Sequence, residues 1–209
     1  VLRHYQDDIN NSNALNTLNL NPREYFLVSA HREENVDSKE RLTLLLESLN
    51  AVADKYSLPV IVSTHPRTKI RLDNLLKDSN IKMNSKIEFM KPFGLFDYIK
   101  LQVESLCVLS DSGTITEEAS LLDFPAITIR QSHERPEGMD SGILIMSGLE
   151  SERVLESIEI TIKHFEERAV NPKVADYEMD EVSHKVLKIV VSYIDYINRT
   201  VWSHEPKSG

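Results

Sequence analysis

The feature that most restricts the fold of this chain is a series of short apolar runs separated by longer amphipathic segments. The runs have the length of β-strands and lack polar alternation; they lie at 25–28, 59–62, 87–90, 106–109, 126–129 and 143–146. Segments with helical spacing of apolar residues lie between them, at 38–56, 69–77, 95–104 and 114–122. Unalternated strands are buried on both faces, and a β-α-β-α order is typical of a parallel sheet covered by helices. The sequence therefore predicts an α/β fold built on a doubly wound, Rossmann-like parallel sheet.

The pattern changes in the last quarter of the chain, where no further strand is predicted. Two helices are predicted at 154–167 and 180–202, separated by a turn at Asn171-Pro172. The second helix carries an apolar face that is wider than a surface helix requires. We therefore expect it to pack on the sheet, on a second domain or on another subunit.

These patterns divide the chain into a helical lead-in at 1–21, a ligand-binding lobe at 22–170 and a C-terminal helix and tail at 171–209. Position 1 is Val, and the lead-in opens on a polar, Asn-rich stretch. We therefore expect the chain to be a piece of a longer protein.

Charge and cysteine content exclude several classes of function. The chain has 33 acidic and 24 basic residues, a formal net charge of −9, and no Lys/Arg-rich run, so we expect no nucleic-acid partner. Its apolar stretches are far shorter than the ~20 residues that cross a bilayer, so we expect no membrane partner. The single cysteine, Cys107, lies in an apolar run and leaves no disulfide framework. A reducing, cytoplasmic location is expected.

Polar side chains follow the predicted strands at the points where the strands end. Ligands of open parallel sheets bind beyond the carboxyl ends of the strands. Three histidines occupy such positions: His31, His65 and His133. Three histidines at equivalent positions favour a ligand site over ordinary loop residues. A zinc site is the alternative, but the spacings are long and no HxH or HxxxH pair supplies two ligands from one element. We therefore expect no metal.

The segment 111–114, Asp-Ser-Gly-Thr, leads from a strand into a helix. The first turn of a helix exposes unpaired N–H groups, which makes it a site for anions. Gly113 allows the backbone to approach an oxygen closely, and the neighbouring hydroxyls add donors, so a diphosphate is the expected ligand. The alternative is a capping box, with Thr114 as N-cap and Glu117 three residues on. The segment is neither a P-loop nor a GxGxxG motif, so no ATP-type or dinucleotide cofactor is expected.

Two more charged residues have a possible ligand role beside a structural one. Glu118 lies one turn inside the same helix, within reach of the ribose of a nucleotide whose diphosphate caps the helix, whereas Glu117 reads as an exposed helix carboxylate. Arg135 offers a planar cation for a diphosphate or carboxylate; its alternative is a salt bridge with Glu134 or Glu137.

Four linked motifs resemble one known family. They are His31–Asn35, His65-Pro66, Asp111–Glu118 and Glu134–Glu137. In this order and spacing they resemble the C-terminal half of the bacterial non-hydrolysing UDP-N-acetylglucosamine 2-epimerases, strongly over 24–149 and loosely over the helical tail. The resemblance implies the second lobe of a two-lobed, glycosyltransferase-B-like fold with a UDP-sugar in the cleft. It also implies that 1–21 leads in from a missing N-terminal lobe and that the final helices cross back towards it.

The resemblance implies roles for particular residues. His31 is implied to be catalytic. The residues implied to bind substrate are Arg32, Glu34, His65, Tyr98, Ser112, Gly113, Thr114, Glu118 and Arg135. Within this set, the loop Ser112–Thr114 holds the diphosphate, Glu118 the ribose hydroxyls, and Tyr98 lies near the uracil. The alternative for Tyr98, and for Phe93 near the same strand end, is that the aromatic ring belongs to the hydrophobic core.

The implied reaction inverts C2 of the sugar by anti elimination of UDP followed by syn re-addition. The family's acid/base carboxylates belong to the first lobe, so we expect this chain alone to be inactive. We also expect the full-length protein to be a homodimer. Two departures stand out: Glu33 replaces a second basic residue, and Thr114 replaces a second glycine. The first argues against an allosteric UDP-sugar site.

The expected function is therefore a UDP-N-acetylglucosamine, or related UDP-acetamido-sugar, 2-epimerase of cell-surface polysaccharide synthesis. Two motifs are closer to the capsule and O-antigen branch, which forms UDP-N-acetyl-L-fucosamine. The alternatives are a glycosyltransferase of the same two-lobed fold and a non-catalytic nucleotide-sugar-binding module.

Overall fold

The computed structural model describes residues 1–78, 81–132, 135–170 and 172–203. Its sheet has six parallel strands: β1 Phe26–Ser29, β2 Val60–Ser63, β3 Ile87–Met90, β4 Cys107–Ser110, β5 Ala126–Thr128 and β6 Ile145–Met146. The spatial order is β3-β2-β1-β4-β5-β6. The predicted doubly wound parallel sheet is confirmed. The direction of winding reverses between β1 and β4, which is where such sheets bind ligands.

Ten α-helices are present in the described part of the chain. They are α1 Gln6–Asn10, α2 Ala14–Thr17, α3 Glu33–Val36, α4 Lys39–Tyr56, α5 Pro66–Asp78, α6 Leu95–Glu104, α7 Ile115–Leu122, α8 Pro136–Asp140, α9 Ser151–Glu167 and α10 Val182–Thr200; a 3-10 helix covers Ala175–Glu178. The long helices match the predicted segments. The short α3 and α8 were not predicted, because four or five residues are too few to show a helical period.

Two local signals explain where helices begin. Ser38 caps α4, its Oγ accepting the backbone N–H of Arg41. Helix α5 begins at Pro66, three residues before the predicted start, because proline is favoured in the first turn of a helix. The predicted turn at Asn171-Pro172 includes Asn171, which lies outside the described residues.

The sheet is buried on both faces by two separate apolar clusters. On one face, Phe26 and Val28 pack with the buried leucines of α4 and with Ile158 of α9. On the other face, Leu27 packs with residues of α6 and α7, including Leu101. Successive residues of β1 thus enter opposite clusters, which explains the absence of polar alternation in the strands.

The chain forms two compact units, Val1–Val174 and Ala175–Gly209. In the first unit, α1 and α2 contact α6 and bury Ile9 and Ala14, so the lead-in segment is part of the packed structure. In the second unit, α10 has no buried residue. Among the described helices, none combines the length and the apolar character needed to cross a membrane.

Candidate functional site

The carboxyl ends of β1 and β4 lie side by side, with Ser29 opposite Ser110. The residue after β4 is Asp111, whose side chain is fully buried. Its Oδ2 accepts the backbone N–H of His31 at 3.0 Å, the backbone N–H of Arg32 at 2.9 Å and the Asn35 side-chain amide at 3.1 Å. A buried carboxylate is tolerated only where donors replace its water. Asp111 therefore ties the segment after β1 to the loop after β4.

A second layer of contacts supports this connection. Asn35 is fully buried, and its Oδ1 accepts a hydrogen bond from Arg41 of α4 at 2.8 Å. Arg41 also donates to the Gln131 side chain, beyond β5, at 2.7 Å. One guanidinium thus joins the segments that follow β1 and β5.

The predicted diphosphate loop contains Ser112, Gly113 and Thr114, and it leads into α7. The hydroxyls of Ser112 and Thr114 lie 3.0 Å apart, and the Ser112 backbone N–H donates to Ser110 Oγ at 3.1 Å. Thr114 makes no side-chain capping hydrogen bond, so the capping-box interpretation is wrong. The physical reason is that its backbone already has helical dihedral angles, whereas an N-cap is extended. The hydroxyls instead pair with each other at the mouth of the helix.

Two guanidinium groups line a small cavity together with Ser112 and Gly113. Arg135 Nε donates to Glu117 at 2.7 Å, so the helix carboxylate predicted to be exposed is paired with Arg135. Arg130 is 6% exposed and donates to Glu34 at 3.0 Å. The loop is therefore bordered by two arginines held by carboxylates, a suitable setting for an anion.

Glu118 is held in place by a hydrogen bond from Gln102 of α6. Gln102 is fully buried, and its Nε2 donates to Glu118 Oε2 at 2.7 Å. Burial raises the pKa of Tyr98 to about 12. Tyr98 and Phe93 also pack against the apolar cluster that contains Leu27. Tyr98 thus contributes to the packing of this apolar cluster.

His31 and His65 line one open cleft of about 370 Å³. The His31 side chain is 50% exposed, and its Nδ1 lies 3.4 Å from Asp111 Oδ1 and 3.4 Å from Ser29 Oγ. His65 Nδ1 accepts the backbone N–H of Arg67 at 3.3 Å. His133, the third predicted histidine, lies outside the described residues.

The departure at Glu33 is accompanied by an ion pair across the same cleft. Glu33 Oε1 lies 3.1 Å from a guanidinium nitrogen of Arg67, which also contacts Asp37 at 3.4 Å. Arg71 pairs with Asp37 as well. The cations of this wall are thus matched by carboxylates. Within the described ranges, no group of three or more His, Cys, Asp or Glu side chains is arranged to hold a metal ion.

The comparison with protein families decides what this lobe is. The family described as UDP-N-acetylglucosamine 2-epimerase matches residues 1–191. The chain belongs to this family. A UDP-N-acetylglucosamine 2-epimerase of Methanocaldococcus jannaschii is 38% identical over 139 residues, which are 66% of this chain and 38% of that protein.

Two solved epimerase structures share the fold. The UDP-N-acetylglucosamine 2-epimerase from Rickettsia bellii has 46% identity and a TM-score of 0.79, over 96% of this chain and 53% of that one. The M. jannaschii enzyme, solved in complex with UDP-GlcNAc and UDP, has 30% identity and a TM-score of 0.72, over 89% of this chain and 50% of that one. The chain thus spans about half the length of these epimerases and corresponds to their C-terminal half, one lobe of a glycosyltransferase-B-like fold.

Sequence reasoning missed four residues that shape this epimerase lobe: Asn35, Arg41, Asp111 and Arg130. Asp111 and Arg130 had a signal, because each is a charged residue placed directly after an apolar strand. Asn35 belongs to the motif His31–Asn35, but nothing in the sequence indicates its partner. Arg41 had no signal, since a cation in the first turn of an amphipathic helix is usually solvated.

Proposed function

We propose that the protein is a UDP-sugar 2-epimerase acting on UDP-N-acetylglucosamine or a related UDP-acetamido sugar. In this proposal the chain supplies the lobe that binds the nucleotide diphosphate. The observation that carries it is the position of the Ser112–Thr114 loop at the winding reversal of the sheet: Ser112 and Gly113 line a cavity with Arg130 and Arg135, and Asp111, which precedes the loop, binds the His31 backbone. The M. jannaschii relative, whose structure holds UDP-GlcNAc and UDP, lends support through its shared fold.

The proposed chemistry needs a stabilised leaving group. When C2 loses its proton, the bond between C1 and the diphosphate oxygen breaks, and negative charge accumulates on UDP. In this proposal the amino end of α7, the hydroxyls of Ser112 and Thr114, and the Arg135 guanidinium stabilise that charge. Fixed donors and cations of this kind lower the energy of a transition state because they need no reorganisation.

The remaining predicted residues take supporting roles in this proposal. Glu118, held by Gln102, accepts the ribose hydroxyls. His31 acts on the reacting sugar, and His65 borders the diphosphate from the neighbouring strand end. Arg32 and Glu34 contact the substrate from the segment after β1, and Tyr98 lies near the uracil.

Nucleotide titration of the chain tests the binding part. UDP and UDP-N-acetylglucosamine should bind with similar affinity, since they share the uracil, the ribose and the diphosphate, while ADP should bind more weakly because an adenine replaces the uracil proposed to lie near Tyr98. Equal binding of ADP, or no binding of UDP, would contradict the proposal. The matched pair Glu118→Gln and Glu117→Gln separates the two neighbouring carboxylates, because the proposal expects Glu118 to contact ribose.

Assay of the intact protein separates the proposed reaction from its rivals. Interconversion of a UDP-sugar at C2 without an acceptor supports an epimerase. A requirement for an acceptor indicates a glycosyltransferase, and tight binding without turnover indicates a binding module. Proton NMR against several UDP-acetamido sugars, including a 6-deoxy L-sugar nucleotide, tests the proposed branch of capsule and O-antigen synthesis.

The C-terminal unit supports a proposal about partners. Helix α10 exposes apolar side chains along its length, among them Val186, Val190 and Tyr193. We propose that in the intact, homodimeric enzyme this helix crosses to the first lobe, which covers the apolar face. Sedimentation should show the intact protein as a dimer, and Val190→Asp should reduce its stability. An unchanged unfolding midpoint would contradict the covered helix.

A further inference from the structure

In each histidine of the cleft, Nδ1 faces a neighbouring group, but the two neighbours differ in kind. His65 Nδ1 accepts a backbone N–H from Arg67, so the proton of neutral His65 resides on Nε2. His31 Nδ1 faces the Asp111 carboxylate at 3.4 Å, and a carboxylate only accepts hydrogen bonds. The surroundings of His31 therefore favour a proton on Nδ1.

We propose that Asp111 is a positioning residue that holds His31 as the Nδ1–H tautomer and leaves Nε2 as the acceptor of the ring. His65, with the opposite tautomer, then offers Nε2–H as a donor in the same cleft. The partner of the second ring nitrogen is what selects a histidine tautomer in proteins. The two rings would thus divide the acceptor and donor functions at this end of the sheet.

The hydrogen bonds of Asp111 fix its carboxylate beside the His31 ring. The carboxylate holds the backbone of His31 and Arg32, so its position relative to the ring depends on the main chain rather than on a mobile side chain. Asn35 binds the same oxygen and is itself fixed by Arg41. The orienting group is therefore buried and fixed from several directions, while the ring that it orients is half exposed.

Ser29 is the other group near His31 Nδ1, at 3.4 Å. A hydroxyl accepts or donates, so it accommodates either tautomer and selects neither. The carboxylate is thus the neighbour that distinguishes the two tautomers.

Only the identity of the group that His31 Nε2 binds, the substrate, rests on the proposed function. The tautomer of His31 can be measured in the chain without any ligand. The test is a long-range proton–nitrogen NMR correlation on the ¹⁵N-histidine-labelled chain at about pH 8, where an unperturbed imidazole is neutral. Spectra of His31→Gln and His65→Gln assign the two rings. The wild-type chain should show the Nδ1–H pattern for His31 and the Nε2–H pattern for His65.

Asp111→Asn and Ser29→Ala are the matched variants. The asparagine keeps one oxygen for the backbone donors of the His31 segment but sets an NH₂ against the ring, so His31 should lose the Nδ1–H pattern. Ser29→Ala should leave that pattern unchanged, and His65 should be unaffected in both. A wild-type His31 with the Nε2–H pattern, or loss of the Nδ1–H pattern in Ser29→Ala alone, would overturn the proposal.

If Asp111→Asn does not fold, the wild-type spectrum and the Ser29→Ala spectrum still decide the tautomer. A failure of the UDP titration, with the expected tautomers present, would count against the proposed function and leave the role of Asp111 standing.

Discussion

The carboxylate of Asp111 accepts the backbone N–H of His31, although 80 residues separate the two in the sequence. The contact exists because β1 and β4 are neighbours in the sheet, so the segments that follow them meet at one edge. It joins the predicted diphosphate loop to the predicted catalytic histidine through a buried group.

Replacing Asp111 with Ala should destabilise the fold by about 2 to 4 kcal/mol. The change leaves the backbone donors of His31 and Arg32 and the Asn35 amide without their buried acceptor. Urea unfolding measures the loss. Glu33→Ala is the control, because it removes an exposed ion pair with Arg67 and should cost less than about 1 kcal/mol. Equal effects of the two changes would show that the buried contact has no special weight.

A bulky side chain at Gly113 should abolish UDP binding while the fold remains cooperative. The physical reason is that Gly113 borders the cavity between Arg130 and Arg135, where the backbone is proposed to approach a phosphate oxygen. Gly113→Val is compared with Gly94→Val by calorimetric titration. Gly94 has φ −65° and open space around a built Cβ, so that variant should bind UDP normally. Wild-type affinity in Gly113→Val would refute the loop assignment.

Gly138→Ala should lower stability by about 1 to 3 kcal/mol through overpacking. A Cβ at Gly138 in α8 would overlap Cγ2 of Thr116, a buried and branched side chain of α7. The double variant Gly138→Ala with Thr116→Ser removes the obstructing methyl group and should recover most of the loss. Thermal unfolding of the single and double variants measures the coupling. Additive losses in the double variant would show that the two residues do not meet. Because α8 follows Arg135, the single variant should also weaken UDP binding.

Tyr98 should contribute to a loss of stability at high pH. Its pKa is raised from 10.0 to about 12 because burial penalises the phenolate. Below pH 10 the phenol is neutral in both states, so the contribution is constant there. Between pH 10 and 12 the unfolded chain releases this proton and the folded chain retains it, so stability falls as pH rises, by about 2 to 3 kcal/mol over the interval. Denaturant titrations of wild type and Tyr98→Phe at pH 9 and pH 11 measure this. The wild type should lose more stability than the variant, and equal losses would contradict the burial of the hydroxyl.

The sheet could be predicted, because it depends on local pattern and on strand order, and the same pattern predicts the edge of the sheet at which the candidate site lies. An unalternated run such as Leu106–Leu109 indicates a doubly buried strand, and polar residues after such runs indicate the ligand edge. The contacts within the site could not be predicted, since they join residues that only the sheet brings together. The pairing of Arg135 with Glu117 and the attachment of Asn35 to Arg41 are of this kind. The periodicity of apolar residues does not indicate which charged side chains pair across two strand ends.

The last prediction is that this 209-residue chain binds UDP but does not exchange the proton at C2 of a UDP-sugar. The carboxylates that border the diphosphate loop are already engaged: Asp111 by the His31 segment, Glu34 by Arg130, Glu117 by Arg135 and Glu118 by Gln102. A general base needs a carboxylate that is within reach of the C2 proton and able to accept it. The site also lies at one edge of a single sheet, and closing of an opposite lobe is what excludes water from a two-lobed active site.

Incubation with UDP-N-acetylglucosamine in deuterated water, followed by proton NMR, should show no deuterium at C2. The full-length M. jannaschii relative provides the positive control under the same conditions. Appreciable deuterium incorporation by the chain alone would show that the base resides in this lobe, and Glu34→Gln and Glu118→Gln would then identify which carboxylate it is.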